Sequence, residues 1–259
     1  MTRRGPIDVA DHSPDPATRD RWEASFEEQI ARQAYNTAPV EAVVRTVAYY
    51  LRSRGPEDTG KRLHFLEVGC GAGPNLIWLA QKGIEVSGVD ISPTALALAR
   101  VNLEQSGCGD RVGQLVEASV SDLPFENGTF DGVIEACVFQ HLDRTNRHRA
   151  FAEVGRVLKP GGIFVGYMLD AGHSVFRAKG TEQLPDDPGT LVLADQTSKV
   201  YLTNIGLSHF FRVEEFAELL GGFSVVDPCL TTYYLPRSEA QKRGYQEYLQ
   251  SMWTVYAIK

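Results

Sequence analysis

Residues 63–80 limit the possible folds more than any other part of the sequence. They read as a short apolar strand, a turn with alternating glycines, and an apolar helix opening at Pro74, a residue suited to the first helical position. Gly69, Gly71 and Gly73 let the chain turn sharply and let a ligand lie against bare main chain. Because parallel α/β sheets bind ligands at the carboxyl ends of their strands, we expect a ligand site at this turn.

The spacing of the glycines discriminates between two kinds of ligand. A dinucleotide fingerprint reads G-x-G-x-x-G, whereas this turn reads G-x-G-x-G and has Pro74 where the last glycine would stand. Glu67 precedes the glycines, and a carboxylate there would repel a pyrophosphate but could hold an ammonium or sulfonium group. The string from Glu67 to Gly73 resembles motif I of the class I S-adenosylmethionine-dependent methyltransferases.

Four further segments resemble this family in the expected order. They are the second predicted strand at 84–90, a loop beside the adenine at 118–125, the fourth strand at 130–135 and a turn at 156–162. The resemblance implies an α/β fold with a Rossmann-like, doubly wound, seven-stranded sheet, mostly parallel with the last strand antiparallel, in three αβα layers. It covers residues 63–169 well, the last third in outline and the first 60 residues hardly at all.

The implied cofactor is S-adenosylmethionine, and the motif positions imply its contacts. Asp90, 21 residues after Gly69, is expected to bind the ribose hydroxyls with Ile91 along the adenine; a purely strand-ending Asp90 is the alternative. Ser119 stands where the family often has an aspartate, and Asp122 follows three residues too late to replace it without a loop shift. The predicted cofactor residues are Glu67, Gly69, Gly71, Gly73, Asp90, Ile91, Ser119, Val120, Glu135 and Tyr35.

Two regions are predicted additions to the core of this domain. Residues 1–60 are expected to form a polar tail and cap helices, in which Trp22, Phe26 or Tyr35 closes over the cofactor. A core role for this aromatic stripe is the alternative. Residues 61–259 are expected to form the methyltransferase domain, with an insertion at about 170–212 that is either a lid over the acceptor or a surface excursion.

The reaction implied by the resemblance is in-line methyl transfer, which needs a general base only when the acceptor enters protonated. His141, at the mouth of the fourth predicted strand, is the first candidate, with packing or capping of the next helix as its alternative role. His173, Tyr201 and His209 in the insertion are further candidates. A small-molecule acceptor is expected, because the insertion is rich in aromatic residues and a net charge of −7 disfavours nucleic acid.

Composition suggests the setting in which the protein works. The sequence has no apolar run of 18 residues and no signal-peptide core, so a cytoplasmic protein without a membrane partner, a monomer or homodimer, is expected. The four cysteines show no paired metal-ligand spacing, so no metal is predicted. Two other functions stay open: a nicotinamide-dependent oxidoreductase, disfavoured by Pro74 and Glu67, and a catalytically silent protein that binds an adenosine ligand.

Overall fold

A computed structural model describes residues 16–55, 60–193 and 206–259. Its strands are β1 (His64–Val68), β2 (Glu85–Asp90), β3 (Val112–Glu117), β4 (Phe130–Ala136), β5 (Leu158–Leu169), β6 (Thr190–Leu193), β7 (Gly206–His209), β8 (Val225–Tyr234) and β9 (Leu249–Ile258). Seven of them form one sheet in the order β3-β2-β1-β4-β5-β9-β8, and β6 pairs with β7 outside it. Within the large sheet β9 runs antiparallel to both of its neighbours and the other pairs are parallel. The predicted mostly parallel sheet with an antiparallel last strand is therefore confirmed.

Helices cover both faces of this sheet. The helices are α1 (Pro16–Ala31), α2 (Glu41–Ser53), α3 (Pro74–Gln81), α4 (Pro93–Gln105), α5 (Arg144–Val157), α6 (Ser174–Lys179), α7 (Glu215–Leu219) and α8 (Arg237–Lys242). One apolar cluster joins α2, α3 and α4 to the sheet, and a second joins α5 and α7 to the opposite face. The protein is therefore the three-layer sandwich that the sequence predicts.

The central strand β1 shows why this arrangement forms. Successive side chains of a strand point to opposite faces, so Phe65 enters one apolar cluster while Leu66 and Val68 enter the other. All three side chains are completely buried. A strand that is apolar on both faces needs a cover on each side, which α/β connections supply and a two-layer fold does not.

The insertion between β5 and β8 is a packed unit in its described part. Phe176 of α6, Leu191 of β6 and Phe210 form a third apolar cluster. Arg147 of α5 donates to the Asp187 carboxylate at 2.6 Å, and both groups are buried. Burial alone would raise the pKa of Asp187, but the hydrogen bonds from Arg147 and Thr190 lower it below its usual value. A buried ion pair therefore ties the insertion to the main domain.

The start of β5 differs from expectation. The sequence predicts a turn at 156–162 before this strand. β5 instead begins at Leu158, and a register shift in its pairing with β4 accommodates the glycines. The Lys159 ammonium lies 2.9 Å from both carboxylate oxygens of Asp131, so an ion pair with the neighbouring strand determines its position.

Gly132 in β4 is required by close packing of the Phe65 ring. An added Cβ at Gly132 would lie 2.5 Å from Cε2 and Cζ of Phe65, which is fully buried in the neighbouring strand. We expect Gly132→Ala to lower the free energy of unfolding by about 2 kcal/mol, because the ring has no space into which it can move.

Urea denaturation followed by circular dichroism measures this change. Gly222→Ala is the matched control, because no described atom lies within 4 Å of its added Cβ. It should change the free energy of unfolding by less than about 0.5 kcal/mol. Equal urea midpoints for the two variants would show that the Phe65 contact does not require a glycine.

Candidate active site

A cavity of about 1400 Å³ opens at the carboxyl ends of the parallel strands. Single small-molecule pockets usually measure about 300–1,000 Å³, so the cavity has room for more than one ligand. Six of the predicted cofactor residues lie on its wall: Gly69, Gly71, Asp90, Ile91, Ser119 and Val120. Two of the predicted bases, His141 and His173, lie there as well. Most of the predicted site is therefore brought together in one place.

The glycine turn has the backbone conformation that its composition predicts. Gly69, Gly71 and Gly73 all have positive φ, at 71°, 51° and 80°. An added Cβ at Gly69 would lie 2.3 Å from the Val138 side chain, so only glycine fits there. Gly73 is the N-cap of α3 and packs against Ala99, and it is not among the described wall residues. Gly69 and Gly71 thus expose main chain to the cavity, while Gly73 positions the helix.

Asp90 is held at the edge of the cavity by two backbone groups. Gly71 N–H donates to its Oδ2 at 2.8 Å, and Ser92 N–H donates to its Oδ1 at 3.0 Å. Burial nevertheless raises its pKa above the usual value. Each carboxylate oxygen has a further lone pair, so Asp90 can accept additional hydrogen bonds from a ligand in the cavity.

Glu67 is a buried acid with one unpaired oxygen. Its side chain is 2% exposed, and Oε1 accepts a hydrogen bond from Asn75 at 2.6 Å. Oε2 has no hydrogen-bond partner in the described structure. Burial raises the pKa of Glu67 to about 8, so the carboxyl group is mostly protonated at neutral pH. Glu67 stands just before the turn, behind the wall residues that the structure describes.

The loop after β3 brings one unexpected acid to the wall. Ser119 donates or accepts at 2.8 Å with Ser121, and Asp122 N–H donates to the Ser119 carbonyl at 3.1 Å. This tight turn brings Asp122 to the cavity wall beside Ser119 and Val120. By residue counting, Asp122 comes too late in the loop to lie beside Ser119. The turn that brings it to the wall cannot be identified from residue counting.

Helix α1 lies over the cavity and is attached by polar contacts. Trp22 and Phe26 line the wall, whereas Tyr35 is not among the described lining residues. The Glu23 carboxylate accepts hydrogen bonds from the Ser92 hydroxyl at 2.5 Å and from the Thr94 hydroxyl. Burial alone would raise the pKa of Glu23, but these hydrogen bonds lower it below its usual value.

Glu135 shapes the cavity from behind its described wall. Its Oε1 accepts from Val138 N–H at 2.5 Å and Phe139 N–H at 3.0 Å, and its Oε2 accepts from Tyr167 N–H at 3.2 Å. Burial raises its pKa to about 7. Both oxygens are directed to main chain in the free protein, so Glu135 organises the loop after β4 where a cofactor contact was expected.

Both ring nitrogens of His141 have a hydrogen-bond partner in the described structure. Its Nδ1–H donates to the Leu207 carbonyl at 3.0 Å, which leaves the lone pair on Nε2, 3.3 Å from the Gln140 amide nitrogen. The ring packs against Trp22 with centroids 5.1 Å apart. Burial lowers the pKa of His141 to about 4, so the ring is neutral at physiological pH.

The other predicted bases are committed elsewhere or lie outside the description. His173 Nδ1 accepts from Val175 N–H at 3.2 Å and Nε2–H faces Gln250 at 3.3 Å, so it caps α6 from the cavity wall. Burial lowers its pKa to about 4. His209 contacts Thr190 and Glu215 at 2.8 Å each and is not among the wall residues described. Tyr201 lies outside the described residues.

The described residues show neither a metal site nor a helix that could span a membrane. Residues 16–55, 60–193 and 206–259 contain no group of His, Cys, Asp and Glu side chains that could hold a metal ion. In the same ranges, no helix is both long enough and apolar enough to cross a membrane.

Comparison with known proteins places residues 66–166 in a family described as a methyltransferase domain. An uncharacterized methyltransferase of Synechocystis is 37% identical over 99 residues, covering 38% of this chain and 43% of that protein. A sterol 24-C-methyltransferase of Gibberella zeae is 32% identical over 149 residues, covering 56% of this chain and 37% of that protein. The chain thus spans less than half the length of these relatives.

The fold extends the similarity over almost the whole chain. The 1,6-didemethyltoxoflavin-N1-methyltransferase of Burkholderia thailandensis, solved with 1,6-didemethyltoxoflavin and S-adenosylhomocysteine, superposes with a TM-score of 0.62 at 19% identity. The match covers 98% of this chain and 93% of that one. Residues 66–166 therefore match the methyltransferase domain family, and the whole chain has the fold seen in S-adenosylmethionine-dependent methyltransferases.

Proposed function

We propose that the protein is an S-adenosylmethionine-dependent methyltransferase that acts on a small-molecule acceptor. The cofactor would lie at the glycine turn and supply an activated methyl group on a positively charged sulfur. The match of residues 66–166 to the methyltransferase domain supports the reaction class. The Burkholderia thailandensis enzyme, whose structure holds both a small molecule and S-adenosylhomocysteine, supports the kind of acceptor.

The observation that carries this proposal is the joint position of Gly71 and Asp90. The carboxylate is held by the N–H of the same glycine turn, with free lone pairs on the cavity side, which suits the two hydroxyls of a ribose. The unpaired Glu67 oxygen adds an acid suited to a cationic ligand. A cationic ligand would favour the charged form of this acid, whereas the negative pyrophosphate of a dinucleotide would oppose it.

The size and enclosure of the cavity favour an enzyme over a silent binding protein. A volume of about 1400 Å³ exceeds what one small ligand usually occupies, so a second molecule fits beside an adenosine ligand. Helix α1 and the insertion both contribute to the wall, which would exclude water from the two ligands. A small acceptor fits this enclosed space better than a nucleic acid does.

His141 is suited to orienting the acceptor and to accepting a weakly held proton. Its neutral ring has Nε2 as an acceptor because Nδ1–H is used by the Leu207 carbonyl, and the acceptor molecule would replace the 3.3 Å contact from the Gln140 amide. With a pKa of about 4, it is a weak base, so its main contribution would be a hydrogen bond that aligns the acceptor. Acceptors that enter without the proton to be lost need no stronger base.

The first prediction tests cofactor binding through Glu67. Because its pKa is about 8, Glu67 is protonated in the free protein at pH 7, and a nearby cationic ligand favours the charged form. S-Adenosylmethionine binding should therefore release up to one proton, measured by calorimetry in two buffers of different ionisation enthalpy. Glu67→Gln should abolish this release and lower the affinity by about tenfold.

Glu104→Gln, on the exposed surface of α4, is the control and should bind with unchanged proton release. Titration with NAD under the same conditions examines the oxidoreductase alternative. Binding of NAD without binding of S-adenosylmethionine or S-adenosylhomocysteine would contradict the proposed function.

The second prediction concerns His141. His141→Ala should lower the rate of labelled methyl transfer into the small-molecule fraction of a cell extract by about tenfold or more. The affinity for S-adenosylmethionine should change by less than about twofold, since the adenosine contacts lie at the glycine turn. His148→Ala, an exposed histidine of α5, is the control.

The pH dependence isolates the role of this ring. The lone pair is lost as pH falls through the pKa of about 4. The ratio of wild-type to His141→Ala rates should therefore stay constant from pH 8 to 5 and decline towards pH 4. An unchanged rate in the variant at pH 7 would exclude His141 from the reaction.

The third prediction concerns the attachment of α1. Glu23→Ala removes the acceptor for Ser92 and Thr94, so α1 should exchange its amide hydrogens faster and S-adenosylhomocysteine should bind about fivefold more weakly. Glu27→Ala, one turn along the exposed side of the same helix, is the control. Unchanged affinity together with faster exchange would mean that α1 does not cover the cofactor.

A further inference from the structure

The half of the cavity formed by the insertion has an apolar wall. Phe210 belongs to the apolar cluster of the insertion, and Leu169, Val175 and Leu193 pack against that cluster. All four residues line the cavity. A ligand in this half would therefore lose water from an apolar surface, and the few polar groups around it would determine its orientation.

Ser208 places an unpaired hydroxyl group in this apolar wall. Its side chain is 1% exposed, and its Oγ has no hydrogen-bond partner in the described structure. Buried hydroxyl groups are normally hydrogen-bonded, and this one belongs to a residue of the cavity wall, so it is an unused hydrogen-bonding group next to the ligand space. Thr254 also has a buried hydroxyl without a described partner, but it is not among the wall residues, which makes it a natural control.

Lys179 provides a cation on the same half of the wall. It is half-buried at the end of α6, and no hydrogen bond or ion pair to it is found within the described part of the chain. Lys242 and Arg243, also on the wall, both contact Glu239. The nearby acid Asp143 accepts from Asn146 at the start of α5. Arg21 and Arg149 also line the described wall but are exposed, so Lys179 is the most buried of the wall cations for which no ion pair is found in the described part of the chain.

We infer that this half of the cavity binds an apolar small molecule carrying an anionic oxygen group, a carboxylate or a phosphate ester. The Lys179 ammonium pairs with the anion, and the Ser208 hydroxyl hydrogen-bonds to a polar atom on the apolar part of the molecule. This inference rests on the proposed function, because the molecule would be the methyl acceptor.

Matched bicyclic aromatic compounds test the role of Lys179. Naphthalene-2-carboxylate, 2-naphthyl phosphate and the neutral 2-naphthamide are titrated by calorimetry with and without saturating S-adenosylhomocysteine. At least one acid should bind about tenfold more tightly than the amide, and Lys179→Gln should remove that difference. Arg177→Gln, an exposed cation on the same helix, should retain it. The preferred acid distinguishes a carboxylate site from a phosphate site.

A second pair of compounds tests Ser208. Ser208→Ala should weaken binding of 6-hydroxynaphthalene-2-carboxylate relative to the parent acid by about fivefold, whereas Thr254→Val should leave this ratio unchanged. Ser208→Ala should not lower the melting temperature of the free protein, since the hydroxyl has no partner to lose. A lower melting temperature with an unchanged ratio would make the hydroxyl structural and would overturn its assigned role.

The outcomes separate this inference from the proposed function. Equal affinity of acids and amide, or an acid preference that survives Lys179→Gln, would overturn the acceptor assignment even when S-adenosylhomocysteine binds. Failure of S-adenosylhomocysteine to bind would instead contradict the proposed function, and the titrations without it still report whether Lys179 selects an anion.

Discussion

The parallel pairing of β1 with both β2 and β4 determines where the groups of the candidate site lie. Val68 pairs with Val89 on one side and with Glu135 on the other, so all three strands end at the same edge. The glycine turn, Asp90 and the loop after β4 then meet at this edge, where Gly71 N–H donates to Asp90 and Val138 packs against Gly69. Because Phe65 packs in one cluster and Leu66 and Val68 in the other, a one-residue slip would exchange the side chains of two closely packed faces, and the register is therefore specified by packing.

Buried polar contacts hold the insertion to the main domain. Arg147 and Asp187 form a buried ion pair, and Thr190 connects Asp187 to His209. Removal of one partner from such a pair typically costs about 3–5 kcal/mol, because the other charge stays buried. The network thus links α5 of the main domain to β6 and β7, which also present Leu193 and Ser208 to the cavity. The same network therefore stabilises the insertion and shapes the half of the cavity that the insertion forms.

Local sequence signals predicted the fold, and Gly69, Gly71 and Asp90, which they singled out, lie together on the cavity wall. Gly69, Gly71 and Pro74 act on the backbone within a few residues, so their consequences can be identified from their spacing. The predicted roles of Glu135, His209 and Tyr35 depended on side-chain direction, which is set by neighbours far away in the chain. Glu135 turns to backbone N–H groups, and His209 joins the network of Arg147. In these cases the residue type indicated which bonds a side chain can make, but packing determined which partner it contacts.

The charges of the cavity follow one physical rule. A buried ion without a partner is costly, and Glu67 avoids that cost in the free protein because its raised pKa keeps it protonated. Lys179, only half-buried, can keep its charge in contact with water until an anion arrives. A cationic ligand near Glu67 and an anionic one near Lys179 would each complete a charge pair that the protein leaves open. The two halves of the cavity would then differ in the sign of the ligand they select, which would keep cofactor and acceptor from exchanging places.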